Sequence, residues 1–292
     1  MVLATLFPNI KAISGRDGAK KKARWRYCEQ LSGGEGFESV NLIDRRPIAK
    51  SAVSMPATYL DVFTDIRNLF AKLPDAQVAG LTARSYSLSV EGGRCPECKG
   101  RGEVSMSMKF LADARVRCSI CHGQRYRPHV LDVVYNGMNL NQILKMSLEE
   151  AAEFFKNHKK IFKRLSPALE LGLGYLKLGQ PSASLSGGES QRLKIVPHLS
   201  KNHGEHSMLV LDEPTTGLHS VDAARLIKSL HRLVVLGTTV VLIEHNADVI
   251  HAADWVIDIG PGSAENGGRL MYQGAAKGLL SVKGSVTSQY IQ

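Results

Sequence analysis

No stretch of the 292-residue chain approaches the roughly 18 consecutive apolar residues that span a bilayer, so no membrane partner is expected. A secretory leader is not recognisable either. The opening MVLATLFPNIK has no basic residue ahead of its apolar stretch, and Pro8 and Lys11 interrupt it early. It reads as the first turns of a buried helix, and a cytoplasmic location follows. Cysteine is scarce, five in all, too few and too unevenly placed for a disulfide scaffold. Four fall into two close pairs and Cys28 is left over, which suits a reducing compartment and a metal. With 43% hydrophobic and 22% charged residues, the chain is neither disordered nor collagenous; it has the composition of a soluble globular protein of one large or two ordinary domains.

Acidic residues are also in short supply, 27 against 37 Lys and Arg, and the deficit is local. Residues 1–130 hold 21 cations against 12 anions, whereas residues 131–292 hold 16 against 15. The first half is therefore a candidate polyanion-binding half, with a merely solvated surface as the alternative reading of charge alone. Its basic cluster KKKARWR at 20–26 looks like part of a surface insertion.

The periodicity of residues 56–73 predicts a helix, and Ser147 with Glu150 opens another long one through a capping-box pattern. Short alternating segments between 93 and 128 suggest small strands. After residue 205 the texture becomes apolar strand, turn, amphipathic helix and apolar strand (SMLVLDEP, VDAARLIKSLHRLVVLG, TTVVLIEHN), which predicts a βαβ unit in a parallel sheet covered on both faces. The last dozen residues are polar and read as a frayed end.

Two constellations carry chemistry. Cys95 and Cys98 are separated from Cys118 and Cys121 by 19 residues, the spacing of a closed, structural four-thiolate zinc site. Around them stand Arg94, Lys99, Arg101, Lys109, Arg115, Arg117, Arg125 and Arg127, with Tyr126 among them. Singly each cation reads as surface charge; together on a zinc-stiffened module they point to nucleic-acid phosphates. In MLVLDEPTTGL, Asp212 is suited to hold Mg²⁺ through water and Glu213 to orient and deprotonate the attacking water. His245 ends the next apolar strand, so it emerges on the same sheet edge. Ser186, Gly187 and Gly188 open a helix whose first N–H groups attract phosphate, with Glu189 and Gln191 just behind.

In this order the segments resemble the signature, Walker B, D-loop and switch histidine of ABC-type ATPases. PATYLDVFTDIRNLF, VEGGRCPECKGRGEV, LGLGYLKLGQPSASLSGGESQR, LDEPTTGLH, IEHNADVI and ADWVIDIGPG are similar to the UvrA family, specifically its second nucleotide-binding half, from about residue 38 onward. The resemblance implies an α/β ABC-type ATPase lobe with a parallel sheet, a helical signature subdomain and an inserted four-cysteine zinc module at 93–128. The expected division is 1–55 as a remnant of the ATP-binding core with the basic insertion, 56–185 as the signature subdomain, 186–282 as the ATPase core and 283–292 as a tail. It also implies ATP and Mg²⁺, damaged duplex DNA, a UvrB-like loading partner, and nucleotide excision repair by an excision nuclease within the SOS response. LSGGE occurs twice; the copy at 185–189 is followed by the Walker B strand and resembles the signature, while that at 31–35 reads as a glycine-rich turn.

Three departures stand against the family pattern. No G-x-x-x-x-G-K-[ST] phosphate loop occurs, and MVLATLFPNIK resembles the helix that follows that loop, so the chain is expected to begin just downstream of it. Unaided ATP binding should then be poor, and the signature would serve a UvrA-like first half or another ABC half that supplies the loop. Arg45 stands where the family's Mg²⁺-sensing glutamine would sit. Pro197 should kink or end the signature helix near Val196. Two other functions remain open: a non-hydrolysing, zinc-dependent DNA-binding or regulatory protein, and a UvrA-like drug-tolerance factor.

Overall fold

The structure, a computed structural model, describes residues 2–14, 26–46, 48, 53–108, 111–200, 206–262 and 267–291. Nearly all of KKKARWR, together with Lys109, lies outside the described residues. The chain forms two compact units, Met1–Arg45 with Lys201–Gln292, and Arg46–Ser200.

The first unit is built on parallel strands Ser39–Ile43, Ser207–Asp212 and Thr238–Ile243, in that order. The central strand buries every residue from Ser207 to Leu211, which explains its unbroken apolar run: both faces are covered and no alternation is needed. One layer is the crossover helix Ser220–Val235, whose Ala223, Leu226, Leu230 and Leu233 recur at helical spacing on its buried side. The expected βαβ unit is therefore present. Against Val40, Met208 and Val210 packs Ile10 of the helix Phe7–Ile13; the buried helix expected at the start is thus buried only in this later part, Val2–Leu6 having no buried residue. Gly34 approaches that helix so closely that a Cβ would lie 2.6 Å from Ile13 Cδ1, so the first LSGGE copy is a packing turn.

An antiparallel pair, Val256–Gly260 with Arg269–Gly274, follows in the same unit. The end of the chain is docked, not frayed. Buried Asp258 accepts hydrogen bonds of 2.7 Å from Ser285 Oγ and Thr287 Oγ1, a helix forms at Val286–Tyr290, and Ile291 packs with Ile250 and Leu279. Polar composition alone concealed this, because the serine and threonine serve as ligands to a buried carboxylate.

The second unit is mainly helical. The predicted helix over 56–73 is two helices, Pro56–Tyr59 and Val62–Ala71, separated by Asp61 in the left-handed region (φ 57°). Aspartate tolerates that conformation, and Asp61 Oδ2 meets Arg164 Nη1 at 2.8 Å. Buried Asp65 forms ion pairs with Lys160 Nζ at 2.6 Å and Arg164 Nε at 2.8 Å, tying this helix to Lys159–Glu170. The long helix expected after Ser147 is likewise divided, into Leu148–Phe154 and Lys159–Glu170. At the break Phe155 is wholly buried, its ring stacked 6.1 Å from that of Tyr135, while Phe154 meets Tyr135 edge-on at 5.8 Å. The turn lets consecutive phenylalanines share one aromatic cluster.

The capping box itself is formed: Glu150 N donates to Ser147 Oγ at 3.1 Å and Ser147 N to Glu150 Oε2 at 2.8 Å. Ser147→Ala should cost about 1 kcal/mol and lower Tm by roughly 2–4 °C in a calorimetric scan, with secondary structure otherwise intact. The signature helix, Gly187–Ser200, continues three residues past Pro197 instead of ending near Val196. Leu193, Ile195, Val196 and Leu199 are all buried, and that packing offsets the missing N–H and the ring clash.

Candidate functional site

The two cysteine pairs come together. Cys95 and Cys118 sulfurs are 3.9 Å apart, Cys98 and Cys121 3.6 Å, and all four lie within 4.8 Å of one another. Tetrahedral Zn²⁺ with bonds of about 2.3 Å sets its sulfurs about 3.8 Å apart, whereas a disulfide needs about 2.05 Å. The cluster thus fits a metal and not a bridge. All four cysteines are buried, and Gly102 N donates to Cys98 Sγ at 3.2 Å. The backbone N–H of Cys121 leads in lowering the Cys118 thiol to about 7, whereas burial raises the Cys95 and Cys121 thiols, so the fit to a metal rests on the spacing of the sulfurs.

Local sequence explains the geometry. Gly100 and Gly102 (both φ 81°) curl the chain after the first pair and Gly123 (φ 78°) after the second; a Cβ on Gly102 would lie 3.2 Å from Gly123 O. Antiparallel strands Glu103–Met108 and Leu111–Arg117 join the two turns and Val104 packs on the sulfurs, so the small strands expected around the site are present. His122 is exposed and outside the cluster.

The cations divide. Lys99, Arg101, Arg115, Arg117 and Arg127 are exposed. Arg94 is half-buried and its Nη1 donates to Leu88 O and Ser89 O at 3.2 Å. Arg125 Nη2 donates to Gly179 O at 2.9 Å, and burial presses its pKa down. Tyr126 is core: its hydroxyl donates to Tyr86 O at 2.9 Å, and burial raises its pKa.

In the first unit, Asp212 ends the central strand and Glu213 follows it with φ 44°, a left-handed conformation that a non-glycine residue adopts at a cost. Glu213 N donates to Ile243 O at 2.8 Å, which holds it beside the end of the next strand. His245 Nδ1 consequently lies 3.9 Å from Glu213 Oε1, although 31 residues intervene in the sequence. Arg45 Nη2 is held by Glu213 Oε2 at 2.5 Å, by Glu213 O at 3.1 Å and by Thr216 Oγ1. The same carboxylate therefore faces a histidine with one oxygen and is gripped by a guanidinium at the other.

Glu244 has a role that sequence reasoning missed. Its Oε1 accepts from Thr215 N at 2.8 Å and Thr215 Oγ1 at 2.7 Å, and its Oε2 accepts from His245 N at 3.1 Å. It fixes the turn after Glu213 to the turn carrying His245. The acidic residue directly before His245 was the available signal.

In the second unit, Ser186 and Glu189 satisfy one another: Glu189 N donates to Ser186 Oγ at 3.2 Å and Ser186 N to Glu189 Oε2 at 2.7 Å. Tyr175 donates its hydroxyl to Glu189 Oε1 at 2.7 Å. Burial pushes the Glu189 carboxyl up, but the Ser186 N–H and the Tyr175 hydroxyl outweigh it and leave its pKa lowered. Gly187 is exposed and Gly188 half-buried at the helix start. Gln191, expected at the nucleotide, is wholly buried because it faces inward with Ser190 and Arg192.

No family model matches the chain. It is 44% identical to UvrABC system protein A of Aquifex aeolicus over 264 residues, 90% of this chain and 28% of that protein. Against UvrABC system protein A of Staphylococcus epidermidis the identity is 43% over 273 residues, 94% of the chain and 29% of the relative. The crystal structure of UvrA2 from Deinococcus radiodurans superposes with a TM-score of 0.83 at 42% identity, covering 88% of this chain and 31% of that one. The chain thus spans less than a third of the length of these relatives. Sequence and fold agree over about nine-tenths of it, and the chain is homologous to a part of UvrABC system protein A.

Proposed function

We propose that the chain works as a UvrA-like component of nucleotide excision repair, corresponding to the family's second nucleotide-binding half. In this reading Asp212 holds Mg²⁺ through water, Glu213 orients and activates the attacking water, and His245 stands beside the transferred phosphate. Ser186 through its hydroxyl, and Gly187 and Gly188 through backbone N–H groups, with Glu189 locking the helix start by taking the Ser186 N–H, meet ATP held by an ABC half that supplies a phosphate loop. Cys95, Cys98, Cys118 and Cys121 hold structural Zn²⁺, whose contribution is to fix the hairpin between them. A UvrB-like loading partner and a cytoplasmic setting complete the proposal.

The observation that carries it is the meeting of Glu213 and His245 at one edge of a parallel sheet, in a chain homologous to UvrA. A second reading, a DNA-binding protein that does not hydrolyse ATP, is favoured by the grip of Arg45 on Glu213. Both need DNA, so duplex binding is the deciding measurement. Lys99 and Arg101 are the exposed cations on the first cysteine turn, while Arg94 and Arg125 are engaged internally. Fluorescence anisotropy with salt titration should show log K falling with log salt, and Lys99→Ala or Arg101→Ala should each reduce the slope by about 0.9, one phosphate. Tighter binding to a lesion-bearing duplex supports the repair reading. No duplex binding at about 50 mM salt removes both.

A further inference from the structure

The helix Gly187–Ser200 carries an acid, Glu189, in its first turn, where its charge opposes that of the phosphates the helix start is read to receive. Both oxygens of that carboxylate are taken. Oε2 accepts from Ser186 N at 2.7 Å, and Oε1 accepts from the Tyr175 hydroxyl at 2.7 Å. Helix capping accounts for the first bond and not for the second. Among the described residues, the capping boxes of Ser147 with Glu150 and of Asn139 with Gln142 close without a third side chain.

Tyr175 is held in place by its backbone neighbours. Gly172 (φ 69°) ends the helix Lys159–Glu170, and Leu173 N turns back to donate to Ala168 O at 3.0 Å. The chain then runs beside Met146–Glu149: Glu149 N donates to Gly174 O at 3.0 Å, Leu148 N to Leu176 O at 2.8 Å, and Leu178 N to Met146 O at 2.9 Å. Leu173, Leu176 and Leu178 are buried, whereas Tyr175 stands out at 58% exposure. So open a ring adds little to the core, and the segment is anchored without it. Partial burial, then the Glu189 carboxylate, push the phenol up to about 12, so it stays a proton donor at neutral pH.

We propose that Tyr175 is a positioning residue of the signature: by holding Glu189 Oε1 it keeps the carboxylate from facing the triphosphate, and so sets how tightly the helix start takes ATP. The inference rests on the nucleotide reading above and concerns affinity, not the chemical step. Without the hydroxyl, Oε1 becomes an unshielded anionic oxygen at a helix start that receives anions.

Tyr175→Phe removes the hydroxyl and leaves the ring and the backbone bonds. On the chain alone, the Glu189 carboxyl is followed by carbon-13 NMR; Ser186, Tyr175 and Arg192 face it and hold its pKa down against burial. In the variant it should titrate at a higher pH, while Tm moves by no more than about 2 °C. In an assembly with an ABC half that supplies the phosphate loop, KM for Mg-ATP should rise about five- to tenfold, the effect of one hydrogen bond, with kcat changed by less than about twofold. An unmoved Glu189 titration overturns the proposal, since the contact then does not exist in solution. So does an unchanged KM, and so does a loss confined to kcat, which would move Tyr175 into the chemical step. An assembly that is inactive with the wild-type chain removes the nucleotide reading and this inference with it; the titration needs no nucleotide, so that failure is distinct from a failure of the Tyr175 contact.

Discussion

Removing the metal should collapse the segment from residue 93 to 128 and abolish duplex binding while leaving most of the helical structure standing. The chain as purified should contain one zinc per molecule by elemental analysis. Metal-free protein, or Cys98→Ser and Cys118→Ser variants, should lose hydrogen-exchange protection across Glu103–Met108 and Leu111–Arg117. The size of the effect follows from how little else holds this hairpin: the four buried cysteines cluster with Val104 as their partly buried apolar neighbour. Structural zinc supplies about 10–16 kcal/mol in small peptides, far more than one valine side chain, at about 1.5–3 kcal/mol, can replace. The rest of the unit has its own core, including Phe70, Tyr86, Phe155 and Leu165, all wholly buried, so far-ultraviolet dichroism should change little. Tyr126, whose hydroxyl bonds to Tyr86 O, marks the joint between the two. A metal-free chain that keeps both its hairpin protection and its affinity for duplex would show the sulfurs to be packing alone.

That site was legible because its information is local. Two pairs of cysteines at fixed spacing specify four ligands without any knowledge of the fold, and the glycines beside them mark the turns. The parallel βαβ unit was legible for a similar reason, since apolar runs and a helical repeat alternate along the chain. One topological rule, that parallel strands present their carboxyl ends on the same side, puts Asp212, Glu213 and His245 at one sheet edge, where Glu213 and His245 approach to 3.9 Å. Other features resisted. Periodicity does not register a single left-handed residue, so Asp61 divided one expected helix, and adjacent Phe154 and Phe155 divided another to share an aromatic cluster. A helix face likewise decides burial more finely than a motif does: Gln191 sits in the signature stretch yet points into the core. Arg45 and Glu213 lie 168 positions apart, and no pattern in the chain announces that they touch.

Arg45→Gln should therefore produce the largest gain in activity available to this chain. Alone, wild type and variant should both show negligible ATP turnover, because no G-x-x-x-x-G-K-[ST] sequence is present to cradle the β- and γ-phosphates. Assembled with an ABC half that supplies the loop, the variant should turn over ATP on the order of 10²-fold faster than wild type, the lower end of what a positioned general base contributes. The guanidinium takes one carboxylate oxygen of Glu213 directly and also binds Thr216 Oγ1, so that oxygen is occupied and not open to a water molecule. Glutamine keeps a hydrogen-bonding group at position 45 but relinquishes the charge. Adding Glu213→Gln to the variant should erase the gain, and His245 would then lack the carboxylate now 3.9 Å from its Nδ1. Stability separates this account from a folding effect. The two side chains are 39% and 38% exposed, and a pair so open to water contributes at most about 1 kcal/mol, so Tm should scarcely move while turnover rises. If turnover in an active assembly is the same with arginine or glutamine at position 45, Glu213 is not restrained by that contact and the base lies elsewhere. If turnover falls instead, Arg45 itself contributes to the reaction, and its hold on Glu213 is the resting half of a catalytic cycle.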